Sequence, residues 1–287
     1  MTKTNSTVGL VLEGGGMRGL FTAGVLDVWM EHGVAFDATV GVSAGAVFGC
    51  NLKSHQVGRV IRYNKRFSGD PRYASVRNLL TTGDLYSKDF AYRAVPLELD
   101  VFDIPTFAAD PMRFTVVCSD VNTGEPVYHD TMTGDVEDID WMRASASVPM
   151  LARPVELGGH ELLDGGICDP IPVRWMLDQG VDKTVVVLTQ PAGYRKEKNS
   201  LLPLLRVALR KYPRFLDRMA DRHLRYNATL DELAELEQEG RVWVLRPSES
   251  VKAPVATKDT AELEHIYQIG RSDAEATLDA LEDYLRR

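Results

Sequence analysis

Short runs of apolar residues alternate, from the start of the chain to its end, with longer stretches in which apolar residues recur at helical spacing. The short runs predict strands at residues 8–12, 37–45, 113–120, 126–129, 160–166, 183–190 and 241–248, of which the second and fifth run into glycine turns. The longer stretches predict helices at residues 18–33, 46–54, 135–146, 172–180 and 259–287, with a long basic helical region before the last strand. This order is typical of an α/β fold with a mainly parallel central sheet and helices on both faces.

The organisation along the 287 residues favours one domain. No repeat, low-complexity tract or linker divides the sequence, and residues 56–111 are mixed and polar, which predicts short helices and loops. We therefore predict a single domain over residues 1–287, with the glycine-rich motifs within about 8–190 and a helical part, about 195–287, packed on them. Hydrophobic residues make up 44% and charged residues 26%, ordinary values for a globular protein with a sizeable core.

The composition limits which binding partners and which cellular compartment we expect. The net charge of −8 makes the molecule as a whole a poor partner for nucleic acid. Cys50, Cys118 and Cys168 form no C-x-x-C pair, which argues against a zinc site or a disulfide framework and favours buried thiols in a reducing compartment. The N-terminal sequence lacks the apolar segment of a signal peptide, and no run approaches the roughly 18 apolar residues of a membrane span. We therefore expect a cytoplasmic protein.

The first predicted strand runs into a glycine-rich loop that fits two kinds of site. GGGMRG, residues 14–19, satisfies the G-x-G-x-x-G pattern of a dinucleotide-binding turn, and the same glycines could aim backbone N–H groups at a reacting carbonyl. A dinucleotide fold places Asp or Glu after the second strand, whereas Asp37 comes before it. Leu20 and Phe21 stand where a P-loop has Lys and Ser or Thr. Nucleotide binding is therefore disfavoured.

The second strand ends in GVSAG, residues 41–45, a G-x-S-x-G at a strand-to-helix turn. This is the nucleophile-elbow pattern, in which small neighbours let a serine hydroxyl project from a sharp turn and the following helix points its positive end at the site. The pattern alone leaves a second interpretation open, in which Ser43 is an ordinary helix N-cap. The glycine-rich loop one α/β unit upstream favours the nucleophile.

A serine nucleophile needs a proton acceptor, and histidine is the usual one. None of the six histidines has a recognisable catalytic setting: His32, His55, His129, His160, His223 and His265. Asp164 is the stronger candidate, since it ends a short apolar strand and precedes two glycines, as site residues do at the carboxyl edge of a sheet. A plain Asp-Gly turn is the alternative for this position.

Taken together, these motifs resemble the patatin-like phospholipase family, in particular bacterial patatin-like serine hydrolases. GGGMRG (14–19) is similar to the family's oxyanion loop, GVSAG (41–45) to its nucleophile elbow and DGG (164–166) to its Asp motif, and ASASVPM (144–150) resembles a segment between the last two. Asp169 departs from the Asn that many relatives carry after D-G-G, which bears on local turn capping. The resemblance spans about residues 8–190 and leaves the remainder unassigned.

The resemblance implies a patatin-like three-layer sandwich with a Ser–Asp dyad and no catalytic histidine, metal or cofactor. In that picture Ser43 attacks an ester carbonyl and Asp164 takes the proton. The residues implied for the oxyanion hole are Gly14, Gly15, Gly16 and Ala44, and the supporting positions are Arg18, Gly19, Gly41, Gly45, Gly165 and Gly166.

The activity implied is hydrolysis of acyl esters of lipids, as by a phospholipase A or a lysophospholipase, with a lipid or another acyl ester as the substrate. Two alternatives stay open. An acyltransferase would use the same dyad, and a non-catalytic protein could bind lipid on the same scaffold.

Arg18 and the basic segment 195–226 each have two possible roles. Arg18 either recognises a lipid phosphate or holds the glycine loop through a salt bridge or carbonyl contacts, and we favour the second role. Residues 195–226 carry ten Lys and Arg against three acids, a local net charge of +7. This segment is either a basic amphipathic surface that contacts anionic lipid, peripherally at the inner membrane, or a pair of helices that cover the sheet with a solvated basic face.

Overall fold

One eight-stranded sheet runs through the computed structural model, which describes residues 6–251, 253 and 256–287. The strands are β1 (Val8–Leu12), β2 (Ala38–Val42), β3 (Arg113–Asp120), β4 (Pro126–Thr131), β5 (Val155–Leu157), β6 (His160–Asp164), β7 (Lys183–Val187) and β8 (Val242–Leu245). The α-helices are α1 (Gly19–Glu31), α2 (Ala44–Lys53), α3 (Arg59–Phe67), α4 (Val76–Thr82), α5 (Ile104–Ala109), α6 (Val136–Ser145), α7 (Val173–Asp178), α8 (Leu202–Ala208), α9 (Pro213–Gln238) and α10 (Thr260–Arg286). There are also 3₁₀ turns at Gly16–Arg18 and Gly165–Ile167 and a π-helix at Phe90–Leu99. Residues 1–5, the first part of the N-terminal sequence in which we expect no signal peptide, lie outside the described residues.

Five of the strands run parallel, in the order β3-β2-β1-β7-β8. β4 and β6 pair antiparallel with β3, and β5 pairs antiparallel with β6. The prediction of an α/β fold with a mainly parallel sheet is confirmed. The expected alternation of strands and helices from start to end is wrong, because β3 and β4, and β5 and β6, are joined as hairpins with no helix between them. β5 has three residues, too few for a hydrophobic pattern to predict it.

Helices cover both faces of the sheet, and the side chains of β1 separate the two layers. Leu10 and Leu12 lie in a core shared with α1, α2 and α10, whereas Val11 packs with residues of α7 and α9 on the other face. All five residues of β1 are buried, which explains its continuous apolar sequence, since a central parallel strand has no solvent-facing side. The C-terminal helices thus pack on both faces of the sheet; that the chain folds as a single domain stays a prediction.

The two longest helices, α9 with 26 residues and α10 with 27, each bury one side. The closing amphipathic helix predicted for residues 259–287 is confirmed as α10, which begins after Asp259, whose carboxylate caps the N–H groups of Ala261 and Glu262. In the described part of the chain, no helix is both long enough and apolar enough to cross a membrane.

α1 and α10 approach each other closely at two glycines. A Cβ atom on Gly24 would lie 2.2 Å from the carbonyl oxygen of Tyr267, and one on Gly270 would lie 2.0 Å from that of Phe21. Beside this contact, the buried carboxylate of Asp27 accepts hydrogen bonds from the Tyr267 hydroxyl, at 2.7 Å, and from the backbone of α3's first turn. Burial raises the pKa of Asp27 to about 6, against the opposing effect of these bonds. The last helix therefore packs against the first through a hydrogen bond as well as through close contacts between the two backbones.

Gly270→Ala is expected to destabilise the fold. Alanine is favoured over glycine in a helix by about 1 kcal/mol, but overpacking a buried contact costs about 1–3 kcal/mol or more. The nearest atom belongs to the backbone, so the two helices would have to separate. We expect a lower Tm and a lower urea midpoint than for the wild type.

Gly69→Ala is the matched control, because Gly69 is exposed and a Cβ there would have no atom within 4 Å. If Gly270→Ala were as stable as Gly69→Ala, the close approach of α1 and α10 would not contribute to stability.

Candidate active site

Ser43 occupies the turn between β2 and α2 in a conformation that is rare for a residue with a side chain. Its φ is 54° and its ψ is −119°, and its side chain makes no capping hydrogen bond to α2. The N-cap interpretation of Ser43 is therefore wrong. The turn depends on its glycines, since a Cβ on Gly41 would lie 2.5 Å from the carbonyl oxygen of Gly45, and one on Gly45 would lie 2.4 Å from that of Leu12. The hydroxyl points away from α2 and donates to Asp164 Oδ2 at 2.7 Å.

The register of β3 explains why Ser43 and Asp164 meet across 121 positions of sequence. β4 pairs with residues 114–119 along one edge of β3, so β2 and β6 must share the other edge. β2 lies opposite residues 113–117 and ends with Val42 beside Val117; β6 runs the other way and ends with Asp164 beside Cys118. The two strand ends therefore meet end to end on one edge. Asp164 lies at the expected place, but on an antiparallel strand and not at the carboxyl edge of a parallel one.

Ser145 bridges the gap where the two strand ends meet. Its hydroxyl accepts a hydrogen bond from Ser43 N at 2.8 Å and donates one to the Val117 carbonyl at 2.6 Å. Nearby, the Ser119 hydroxyl donates to the Asp164 carbonyl at 2.8 Å. Ser145 belongs to the ASASVPM segment, so the resemblance marks the region, although nothing in the sequence assigns this role to it. The backbone N–H of Ser43 is thus occupied by Ser145.

Asp164 is buried, and its second carboxylate oxygen, Oδ1, also accepts a hydrogen bond. Oδ1 accepts a hydrogen bond from Gly166 N at 2.8 Å. Burial raises the pKa of Asp164, while the Ser43 hydroxyl, the Arg222 guanidinium and the Gly166 N–H act in the opposite direction. Arg222 comes from α9 and donates from Nε to the carbonyl of Gly166. Sequence reasoning misses Arg222, because it is one of many arginines in a basic helix.

The glycine-rich loop lies directly beside this pair. A Cβ on Gly14 would lie 2.9 Å from the Cβ of Ser43, which places the loop in contact with the elbow. Within the described part of the chain, the backbone N–H groups of Gly14, Gly15, Gly16 and Ala44, the four residues predicted for the oxyanion hole, have no hydrogen-bond acceptor in the protein. Gly16 has a φ of 56°, a conformation that favours glycine. Four unpaired backbone donors therefore lie in the loop and the elbow next to Ser43.

A buried acid that the sequence reasoning misses anchors the loop. Glu13 follows β1 directly, and its carboxylate accepts from Thr189 N at 2.6 Å, from Thr189 Oγ1 at 3.1 Å and from the Tyr226 hydroxyl at 2.5 Å. The Thr189 hydroxyl also lies 3.0 Å from the Gly14 carbonyl, to which it can donate. The loop is thus fixed to the end of β7 and to α9.

The expected structural role of Arg18, a salt bridge or carbonyl contacts that hold the loop, is wrong. Arg18 Nε is buried without a hydrogen-bond partner, and its side chain forms none of the ion pairs found among the described residues. The adjacent acid, Glu13, is already taken by Thr189 and Tyr226. The Arg18 guanidinium instead lines the cavity in front of Ser43.

The remaining supporting positions are close-packing glycines. A Cβ on Gly19 would lie 2.6 Å from the Cβ of Ala44, and one on Gly165 would lie 2.0 Å from the carbonyl oxygen of Val117. A Cβ on Gly166 would lie 3.0 Å from Asp164 Oδ1. Asp169, expected to act in turn capping, accepts a hydrogen bond from the Tyr128 hydroxyl at 2.7 Å, and burial raises its pKa.

None of the six histidines, all of which lie in the described part of the chain, contacts Ser43 or Asp164. Five of them face carboxylates elsewhere: His32, His55, His129, His160 and His265. His223 lines a neighbouring cavity. The three cysteines are buried and free, as expected. Among the described residues, no group of three or more His, Cys, Asp or Glu side chains is arranged to hold a metal ion.

Ser43 and Gly16 lie between two cavities of different character. The first is mostly apolar, and its lining includes Met17, Val47, Phe48, Tyr63, Phe102 and Met142. Much of its wall comes from residues 59–102, within the region where short helices and loops were predicted. The second cavity carries charged side chains, namely Glu13, Arg18, Asp164, Lys196 and Arg222. Ser43 is therefore placed at a boundary between an apolar and a charged surface.

Comparison with known families agrees with this geometry. The family model described as patatin-like phospholipase matches residues 10–177, which hold the glycine loop, the elbow and Asp164. The chain belongs to the patatin-like phospholipase family. The resemblance inferred from the motifs is thereby confirmed. A second family model, described as a domain of unknown function (DUF6363), matches residues 212–286, which include α9, β8 and α10.

The individual relatives either match only part of this chain or are much longer than it. YjjU of Escherichia coli, an uncharacterised protein, is 34% identical over 196 residues, 64% of this chain and 52% of its own length. Lysophospholipase NTE1 of Candida albicans is 29% identical over 281 residues, 93% of this chain and 20% of its own length. VipD from Legionella pneumophila, a solved structure, aligns with a TM-score of 0.48 at 13% identity over 96% of this chain and 67% of its own. The chain thus spans about half the length of the first relative and a fifth of the second.

Arg222→Gln is expected to raise the pKa of Asp164. The guanidinium favours the ionised carboxylate, so its removal leaves burial less opposed. The measurement is a pH titration of the Asp164 carboxyl ¹³C shift in the folded protein. Arg222→Lys keeps the positive charge and should give a smaller change. A pKa of Asp164 that is equal in the wild type and Arg222→Gln would rule out this electrostatic coupling.

Proposed function

We propose that the protein hydrolyses acyl esters of lipids, as a phospholipase A or lysophospholipase does, through Ser43 and Asp164. The observation that carries this proposal is the 2.7 Å contact from Ser43 Oγ to Asp164 Oδ2 beside unpaired backbone N–H groups. Family membership supports a lipid hydrolase, and one relative that aligns over most of this chain is named a lysophospholipase. The apolar cavity next to Ser43 has the surface that an acyl chain requires.

The first half of the reaction forms an acyl-enzyme. Ser43 Oγ attacks the ester carbonyl carbon while its proton passes to Asp164 Oδ2. The negative charge that develops on the carbonyl oxygen is stabilised by the N–H groups of Gly15 and Gly16, with that of Ala44 as a third donor. The tetrahedral intermediate then collapses, the bond to the alcohol oxygen breaks, and the leaving alcohol takes the proton from Asp164.

The second half releases the fatty acid. A water molecule attacks the acyl carbon and transfers a proton to Asp164, and collapse of the second intermediate returns that proton to Ser43 Oγ. An ordinary aspartate, with a pKa near 3.9, is a weak base for this step. Burial raises the pKa of Asp164 and makes it a stronger base. The backbone donors carry a large part of the rate enhancement, since one oxyanion donor contributes about 3–4 kcal/mol in serine enzymes.

An acyltransferase is the alternative that shares this chemistry. An alcohol would replace water in the second half-reaction, and the same acyl-enzyme would form. Product analysis with and without an added alcohol acceptor separates the two. A non-catalytic lipid-binding protein would not need the strained Ser43 backbone or its contact with Asp164, so these features favour an enzyme.

Ser43→Ala and Asp164→Asn are expected to abolish ester hydrolysis without unfolding the protein. The alanine removes the nucleophile, and asparagine cannot accept the serine proton, so we expect a loss in kcat of at least about 10³-fold for each. The measurement is release of fatty acid from a lysophospholipid, with circular dichroism to confirm folding. A phosphonate probe should label the wild type at Ser43.

Ser200→Ala, a change at an exposed serine, is the matched control and should behave as the wild type in both assays. Substantial turnover by Ser43→Ala, or labelling of that variant by the phosphonate, would contradict the assignment of the nucleophile.

We also propose that residues 195–226 contact anionic membrane surfaces. Within this segment Leu202, Leu205 and Phe215 are buried and cover the sheet, which supports the alternative of a packed helical pair. Leu201, Leu204 and Val207, however, are exposed by 57%, 53% and 70%, beside the exposed cations Arg206 and Arg210. Exposed apolar residues among cations fit an interfacial helix. The cytoplasmic location expected from the sequence stays a prediction.

Binding to vesicles should rise with the content of anionic lipid and fall with added salt, because both effects follow from charge attraction. Leu204→Asp should weaken co-sedimentation with phosphatidylglycerol vesicles. Met132→Asp changes another exposed apolar residue, outside the segment, and is the control. Equal binding to neutral and anionic vesicles, or no binding to either, would contradict membrane contact.

A further inference from the structure

Three cations from separate parts of the chain line the charged cavity in front of Ser43. Arg18 lies in the 3₁₀ turn before α1, Lys196 in the segment after β7, and Arg222 on α9. Among the described residues, none of the three forms an ion pair with a carboxylate. Arg18 Nε is buried without a partner, and Arg222 uses Nε for the Gly166 carbonyl, which leaves its two terminal nitrogens unbonded in the protein.

Lys196 is placed between two aromatic rings. Its Nζ lies 4.7 Å from the ring centre of Tyr226 and 5.9 Å from that of Tyr194, and these rings meet edge to face. Its backbone is fixed by two hydrogen bonds with the Asn227 side chain. Burial, together with the positive charges of Arg222 and Arg18, lowers the pKa of Lys196 to about 8, although Glu13 acts in the opposite direction. The ammonium is thus preorganised in the cavity and forms no ion pair with a described residue.

The two acids of this cavity offset only part of the charge of the three cations: Asp164 and Glu13 act electrostatically on Arg222, and Glu13 acts on Lys196. Glu13 is occupied by Thr189 and Tyr226, and Asp164 by Ser43 and Gly166. The lining therefore carries a net positive charge next to the reactive hydroxyl. The three positive charges exceed the two negative ones by one, and an unbalanced positive charge is costly to keep partly buried, which indicates that the cavity fits an anion that comes from outside the chain.

We propose that Arg18, Lys196 and Arg222 bind a phosphate monoester, carried as the head group of a single-chain lipid whose ester lies at Ser43. This proposal rests on the proposed function. A terminal phosphate presents three oxygens and two negative charges, and guanidinium groups bind such oxygens in pairs while an ammonium binds them as a point charge. A choline head group would bring its own positive charge among three cations. The site therefore selects lysophosphatidate over lysophosphatidylcholine.

The kinetic test compares lipids that differ only in the head group. 1-Oleoyl lysophosphatidate and 1-oleoyl lysophosphatidylcholine are assayed below their critical micelle concentrations. We expect a kcat/KM at least about tenfold higher for the first, a ratio that corresponds to about 1.4 kcal/mol. Lys196→Gln should bring the ratio close to one. Lys198→Gln, the same change two residues away at an exposed position outside the cavity lining, should keep the wild-type ratio.

A binding test separates the head group from free phosphate and the site from the catalysis. Millimolar inorganic phosphate, compared with chloride at equal ionic strength, should raise the Tm of the wild type and of Ser43→Ala but not of Lys196→Gln. Stabilisation by phosphate with equal kcat/KM for the two lipids would overturn the head-group assignment in favour of a free anion. No stabilisation and equal kcat/KM would overturn the site and leave the proposed function intact. Stabilisation that depends on Lys196, without hydrolysis of any ester, would support the anion site and contradict the proposed function.

Discussion

The candidate site depends on two strand ends that meet on one edge of β3. β2 rises along this edge as far as Val117, and β6 descends to Cys118. Because the ladder passes directly from one strand to the other, the residue after β2 and the last residue of β6 are forced together. Those residues are Ser43 and Asp164. Their 2.7 Å contact is therefore set by the pairing of two strands with β3 and does not depend on the closure of a long loop.

This junction requires that the backbone groups at the gap find partners. A strand that leaves a ladder exposes an N–H and a carbonyl, and these would be unsatisfied in a buried place. The hydroxyl of Ser145 fills that position between Ser43 N and the Val117 carbonyl. Gly165 follows Asp164 so closely against Val117 that a side chain would collide with its carbonyl. The polar bridge and the glycine are thus consequences of placing two strand ends on one edge.

The sequence predicts the parts of this arrangement that are local. Apolar runs mark β1, β2 and β7, and the G-x-S-x-G pattern marks the elbow, because strand burial and a tight turn leave their signature within a few residues. The direction of β6 is not local, since it depends on which edge of β3 is free. The roles of Glu13, Ser145 and Arg222 cannot be predicted from the sequence either, because each is defined by a partner distant in sequence. The sequence also predicts that Arg18 contacts an acid or backbone carbonyls. The adjacent acid, Glu13, is instead bound by Thr189 and Tyr226.

The C-terminal part of the chain contributes to the site as well as to the fold. α9 supplies Tyr226, which holds Glu13 and with it the glycine loop, and Arg222, which faces Asp164. α10 packs closely against α1 at Gly24 and Gly270, and α1 begins where the glycine loop ends. Residues matched by the second family model therefore reach both ends of the loop that borders Ser43. Residues 59–102 supply much of the wall of the apolar cavity, and α9 borders the charged one, so different regions of the chain contribute to the two sides of Ser43. In the orientation that we propose, the apolar chain of the lipid lies in the first cavity, its anionic head group lies in the second, and its ester lies between them at Ser43.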